Sequence, residues 1–381
     1  MLRRHVVKLI GFCSVFAAVS AYAGDDDGSW VYFGTRATGA GTGIVAAHLD
    51  ECGKLTPVGL ASDIARPTWL TAHPKLPVMY AASDTGVAGV QSTLYSLSVN
   101  RKTGALTVKN SAASGGIGAT HLAVDHDLKS IFAAHFGSGQ VSWLSLTGDG
   151  SLGALNSVQQ QYGTGPHPRQ AAPHAHGVAV DPTGRFLIAQ DFGADRIFTY
   201  RINTDSRLLQ PTDPPYVSVP TPGSGPRHSV FHPNGRFLFV VNELTAEVAS
   251  YKWEAYPGRL TLVQTLAMDD PAYTGTKSAS HIQISRDGRF VYAANRGINS
   301  MQVFAVNSWS GTLELVQTLS SGGLTPWDFS LDPSGRWLVV ANNASNSIAV
   351  FSVNSYTGKL AATTETMSTP QPSNVTFMRA D

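Results

Sequence analysis

Cysteine, charge and helical patterning are all scarce in this sequence. Only two of its 381 residues are cysteine, Cys13 and Cys52, and 14% are charged. No apolar run approaches the roughly 20 residues needed to cross a bilayer as a helix, so no membrane span is expected. Apolar residues at helical spacing are not sustained anywhere over a useful length, which argues against α and α/β classes. The 27 Lys+Arg nearly balance 26 Asp+Glu, so there is no basic excess of the kind that binds nucleic acid or an anionic membrane.

The first residues read MLRRHVVKLIGFCSVFAAVSAYA. Arg3, Arg4 and Lys8 precede a short apolar stretch that ends at Ala21-Tyr22-Ala23, the pattern of a secretory signal peptide cleaved after Ala23. The Arg-Arg pair also resembles a twin-arginine signal, so the general and the twin-arginine export routes both stay open. Cleavage would remove Cys13 and three basic residues, leaving 24 Lys+Arg against 26 Asp+Glu, or −2, and no pair of cysteines for an internal disulfide. An exported chain without that crosslink must be held by burial, and residues 24–381 are enough for it. A periplasmic or secreted monomer is expected.

What the sequence has in abundance is a repeat. HGVAVDPTGRFLIAQD, HSVFHPNGRFLFVVNE, IQISRDGRFVYAANR and DFSLDPSGRWLVVANN align directly, and WLTAHPKLPVMYAASD and HLAVDHDLKSIFAAHF are weaker copies. Taking Pro74, His126, Pro182, Pro233, Arg286 and Pro333 as markers, the spacings are 52, 56, 51, 53 and 47. Apolar residues two and four before the marker, such as Val178 and Val180, alternate as in a strand. A Pro-x-Gly turn then leads into a second strand. Third and fourth strands follow, as at Ser347–Phe351 and after Thr357-Gly358. A period near fifty with four strands per unit predicts an all-β fold, a β-propeller. Ser373–Phe377 reads as a first strand without a second, and Trp30–Phe33 as a second without a first. Joining them makes a seventh blade and closes the ring in a single domain over 24–381.

In such a blade the residue before strand one and the residue after strand two meet on one face, near the axis. Arg185, Arg236, Arg289 and Arg336 follow the turn glycine on the opposite face and recur, so they serve the blade. At the first face the residues differ from blade to blade: Trp69, His121, His176, Arg227 with His228, His281 and Asp328 before the strands, and Glu243 and Arg296 after them. Arg169 and His174 precede the blade that carries His176. Titratable groups of different kinds at one channel mouth mark a candidate site. Simpler readings coexist with it: Arg227 could pair with Glu243 across their hairpin, Asp191 and Asp195 could lock loops, and Asn295 and Asn342 could satisfy backbone groups. His174-Ala175-His176 is an H-x-H, but no third ligand is specified, and neither a metal nor any other cofactor is assigned.

Laid out in this way, PHAHGVAVDPTGRFLIAQD, GPRHSVFHPNGRFLFVVNEL, DGRFVYAANRG and TPWDFSLDPSGRWLVVANN resemble the seven-bladed propeller lactonases, which include propeller-type 6-phosphogluconolactonase and carboxymuconate cyclase. The likeness spans most of residues 66–351. It implies a lactonase that opens a small lactone, sugar-derived or other, with water, its catalytic residues being His176, Arg227, Glu243 and Arg296. His121, Arg169, His174, His228, His281 and Asp328 would contact an anionic substrate. Two alternatives stay open: an exported propeller that only binds a ligand or protein, and a muconate-type cyclase or isomerase. No G-x-S-x-G elbow supports a serine nucleophile.

Overall fold

The computed structural model describes residues 28–39 and 42–380, and the expected signal peptide lies outside them. Among the described residues, 28 strands form seven four-stranded antiparallel sheets, each a blade. The innermost strands of blades 1 to 7 are Pro67–Ala72, Ala119–Val124, Ala175–Val180, Pro226–Phe231, Ala279–Ile284, Pro326–Leu331 and Pro372–Arg379. Consecutive inner strands contact one another around the whole circle, including Pro372–Arg379 with Pro67–Ala72. Blade 7 is the composite expected from the sequence. Its inner strand is C-terminal, and its other three, Ser29–Thr35, Ile44–Leu49 and Leu55–Ser62, are N-terminal.

Burial is concentrated between blades. Phe132 and Trp143 of blade 2 pack with Val178, Leu187 and Phe198 of blade 3, and equivalent clusters fill the other junctions. Each fully buried large side chain is worth roughly 1.5–3 kcal/mol. Close approach is helped by glycines in the hairpins that join third and fourth strands. A Cβ at Gly311 (φ 76°) or Gly358 (φ 69°) would meet the ring of Phe237 or Phe290 in the preceding blade within 2.3 Å. The recurring arginines tie the same hairpins together. Arg185 Nη2 donates to Ala255 O, Arg236 Nη2 to Trp309 O and Arg289 Nη2 to Ser355 O, each in the next blade.

One feature of the inner strands is not visible in the alternation pattern. Every inner strand carries a one-residue irregularity at its start, at Thr68, Thr120, His176, Arg227, Ser280, Trp327 and Ser373. A bulge disrupts the strict alternation of sides. In blade 4 it lets Arg227 and His228, neighbours in sequence, both serve the channel. Three of the bulged hydroxyls reach the adjoining blade: Thr68 Oγ1 donates to Ala119 O, Thr120 Oγ1 to His176 O and Ser280 Oγ to Pro326 O, while Ser373 Oγ donates to Gly34 O in its own blade. His176, Arg227 and Trp327 break that pattern of small hydroxyls.

Candidate active site

The face where inner strands begin carries a cleft of about 470 Å³, lined by Arg169, Glu243, Tyr273, Thr276, Ser278, Arg296, Gly297 and Thr325. Glu243 is its hub. Oε1 accepts from Arg169 Nη1 at 2.8 Å, and Oε2 faces Arg227 Nε at 3.0 Å and Arg296 Nη2 at 2.9 Å. The Glu243 side chain is 4% exposed, and those of Arg227 and Arg296 are 3% and 9% exposed. Burial alone would raise the pKa of Glu243, but Arg296, Arg227 and Arg169 outweigh it and hold the carboxyl below its usual range. One carboxylate therefore faces three guanidinium groups, and the cluster keeps a surplus of positive charge.

Backbone geometry delivers these groups. Arg227 sits at the bulge of the blade 4 inner strand, whose Pro226 pairs with Asn242, so the chain brings Glu243 back beside it. Glu243 N donates to Gly225 O and Arg296 N to Ser278 O, which fixes both residues at the ends of their second strands. Arg169 comes from a loop locked by Gln170, whose amide donates to Phe192 O and to Asp195 Oδ1. Asp195 Oδ1 also accepts from Gly225 N, so one acid joins the Arg169 loop to the Arg227 strand.

Beneath the arginines the channel is filled by aromatic rings. His121 lies 4.2 Å from Trp69 and 4.7 Å from His228, and His228 lies 5.1 Å from both His176 and His281, between centroids. His228 Nδ1 is 2.8 Å from His281 Nδ1, and His281 Nε2 is 3.5 Å from Asp328 Oδ1. Burial, then the charge of Arg227, pushes His121 down to about 3. Burial likewise holds His176, His228 and His281 well below the usual imidazole range. All four rings are neutral near pH 7. Burial also pushes Asp328 up to about 7, although its Oδ2 accepts from Asn374 Nδ2 and Val375 N.

The structure thus sorts the residues singled out from the sequence. Arg169, Glu243 and Arg296 line the cleft, and Arg227 is the buried partner behind them. His176 is 8% exposed and close enough to Arg227 and Arg296 to feel both charges; its Nδ1 is buried with no hydrogen-bond partner among the described residues. His121, His281 and Asp328 do not line the cleft. They form part of a second cavity of about 700 Å³ that opens toward the face of the Pro-x-Gly turns. His174 stands apart from His176, stacked on Phe136 at 4.4 Å with Nδ1 bonded to Phe136 O. Among the described residues no three His, Cys, Asp or Glu side chains are grouped to hold a metal.

A ring of seven blades with an arginine-clamped glutamate at one mouth can be compared with known proteins. The family profile "Lactonase, 7-bladed beta-propeller" matches residues 30–377. The chain belongs to this family. A 6-phosphogluconolactonase of Bacillus subtilis is 32% identical over 352 residues, covering 91% of this chain and 97% of that protein. The solved structure of a periplasmic gluconolactonase from Pseudomonas aeruginosa superposes with a TM-score of 0.87 at 30% identity, over 93% of this chain and 100% of the other. A protein from Lactobacillus plantarum gives a TM-score of 0.85 at 28% identity, over 92% and 99% of the two chains. Enzymes named in this way are lactone-opening ester hydrolases, and this lactonase-family chain is an enzyme of that class.

Two cations of the same face escaped the sequence reading. Arg36 follows the second strand of blade 7, the position that Glu243 and Arg296 hold in blades 4 and 5, and its guanidinium lies 5.2 Å from the Trp327 ring. The marker alignment omitted it because the inner strand of that blade is at the other end of the chain. Arg66 directly precedes the inner strand of blade 1.

Proposed function

We propose that this lactonase-family chain hydrolyses a small anionic lactone in the cleft of Arg169, Glu243 and Arg296. The observation that carries the reading is the three-to-one balance of guanidinium to carboxylate around Glu243. Both oxygens of Glu243 are already engaged by guanidinium groups, so neither is free to take a proton from water, and Glu243 serves to place the arginines. They in turn attract an anionic substrate and face the oxygen on which negative charge develops.

The base is then His176, which is neutral and whose Nδ1 has no partner among the described residues, although burial and the charge of Arg227 weaken it as a base. Water adds to the lactone carbonyl carbon as its proton passes to His176, a step worth about 10²–10⁴-fold. The tetrahedral oxyanion is stabilised by Arg296. Collapse breaks the ring C–O bond, and the departing alkoxide recovers the proton from His176, leaving the hydroxy acid. The N-terminal leader suggests that this occurs outside the cytoplasm, the compartment named for the Pseudomonas relative.

The test is acid release from glucono-δ-lactone and its 6-phosphate by the purified mature chain, measured against spontaneous opening. Catalysis by the native protein that Arg296→Ala and His176→Ala each reduce at least 100-fold supports the reading. Binding of lactones without acceleration of their opening would overturn it.

A further inference from the structure

The face that carries the cleft has a second group of cations. Two guanidinium groups stand against the Trp327 ring, Arg296 at 4.8 Å and Arg36 at 5.2 Å from its centroid. Trp327 is two residues beyond Thr325, which lines the cleft, so the indole extends the wall from Arg296 toward blade 7. Arg66 lies on the same side. Its guanidinium packs beside the Gly86 backbone, where an added Cβ would come within 2.8 Å of Nη1.

Neither Arg36 nor Arg66 has an ion pair with an acid among the described residues, whereas Arg169, Arg227 and Arg296 all share Glu243. Arg66 Nε and Arg296 Nε are buried donors with no hydrogen-bond partner among the described residues. Buried guanidinium N–H groups ordinarily find acceptors. Burial, then repulsion by Arg66, lowers the pKa of Arg36; Asp84 opposes this and Arg296 adds to it, so the four charges share one neighbourhood. Arg66 has φ 44°, the left-handed conformation also adopted at the equivalent position by Gly118, Gly225, Thr325 and Gln371, so this backbone turn belongs to the blade and only the side chain is particular to Arg66.

Two cations on one indole, with a third beside them and buried donors facing no acceptor, suit a tetrahedral or planar oxyanion whose oxygens take paired N–H bonds. We infer that Arg36 and Arg66, with Trp327 as the wall between them and the cleft, form a second anion subsite that holds the non-reacting phosphate or carboxylate of the lactone. This rests on the lactone-opening reading of the cleft and adds to it a distance requirement. The charged group must sit at the far end of the substrate from the carbonyl, because Arg169, Arg227 and Arg296 already serve the reacting end.

The experiment compares three substrates on the purified chain: neutral glucono-δ-lactone, its 6-phosphate, and a glucarolactone whose remote group is a carboxylate. The native protein should prefer at least one charged lactone, and which of the two identifies the anion. In Arg36→Ala/Arg66→Ala the ratio of kcat/KM for that lactone to kcat/KM for the neutral one should fall about 10–100-fold, as expected for the loss of charge-assisted hydrogen bonds. Arg36→Lys, which keeps the charge, should restore part of that ratio and so exclude a merely structural effect of removing the side chain from Trp327. A native ratio near one, or a ratio that survives the double substitution, overturns the subsite and leaves the lactonase reading intact. Should no lactone be opened, calorimetry with 6-phosphogluconate decides the subsite separately. Binding weakened by the double substitution supports it, and binding unaffected by that change overturns it.

Discussion

Arg227 Nε and Glu243 Oε2, sixteen residues apart in sequence, meet at 3.0 Å with both side chains almost fully buried. They flank one hairpin, and a pairing that only closed that hairpin would be an ordinary structural use of charge. Two further arginines on the same carboxylate make it the centre of the proposed site. Removing one partner of a buried pair leaves an uncompensated charge, at a cost of about 3–5 kcal/mol.

Glu243→Gln is therefore expected to leave a folded ring that is less stable by about 3–5 kcal/mol, because Arg227 and Arg296 lose their counter-charge. Lactone opening should be lost with it. Urea denaturation and acid release measured on the same preparation check both; full activity in a stable variant would remove Glu243 from the site.

The histidine stack predicts sensitivity to mild acid. His121 has a folded pKa of about 3, against an ordinary value of 6.5, and His176, His228 and His281 are also depressed. Between these limits the unfolded chain binds more protons than the folded one. Stability is thus fully present above about pH 6.5 and falls as the pH drops below it, by up to roughly 1.4 kcal/mol per unit for each histidine. Urea midpoints at pH 7.5, 6 and 5 should decline before carboxylates of ordinary pKa titrate, the four histidines outweighing Asp328 and Asp191, whose raised pKa values act with the opposite sign. A flat profile across that range would show that the rings are not held neutral.

Asp328 acts with the opposite sign. Its folded pKa is about 7, above the ordinary 3.8, so the folded state holds the extra proton. Its contribution is present below about pH 3.8 and is lost as the pH rises through 7. Asp328→Asn keeps an acceptor for Val375 N and removes the ionisation, so it should gain stability relative to the native chain at pH 8 more than at pH 5. Equal differences at the two pH values would contradict a buried neutral carboxyl.

Arg289→Ala tests the other class of arginine. Its side chain is 51% exposed and bonds Asp287 and Ser355 O on the turn face. The expected cost is at most about 1 kcal/mol, with kcat and KM for any lactone unchanged. Lost activity in a well-folded variant would place chemistry on the wrong face.

Most of the fold was legible in the chain. A repeat near fifty residues, period-two alternation and the Pro-x-Gly turns are local properties, and they identified the blades and even the composite seventh. The repeat also separated Arg289, which recurs, from Arg227 and Glu243, which do not. Less was legible about depth. His121, His281 and Asp328 occupy the same repeat position as Arg227 or its neighbour, yet they lie in the channel below the cleft. The bulge disrupts the alternation that would otherwise assign each residue a side.

Sequence alone thus determined which residues could reach the mouth, because strand order and register follow from periodicity. Only the closed ring decided which of them share a carboxylate, which are buried neutral, and that Arg36, just after the first strand, stands beside Trp327 of blade 6. Those relationships depend on distance and desolvation across blades, and neither is a property of any segment of the chain on its own.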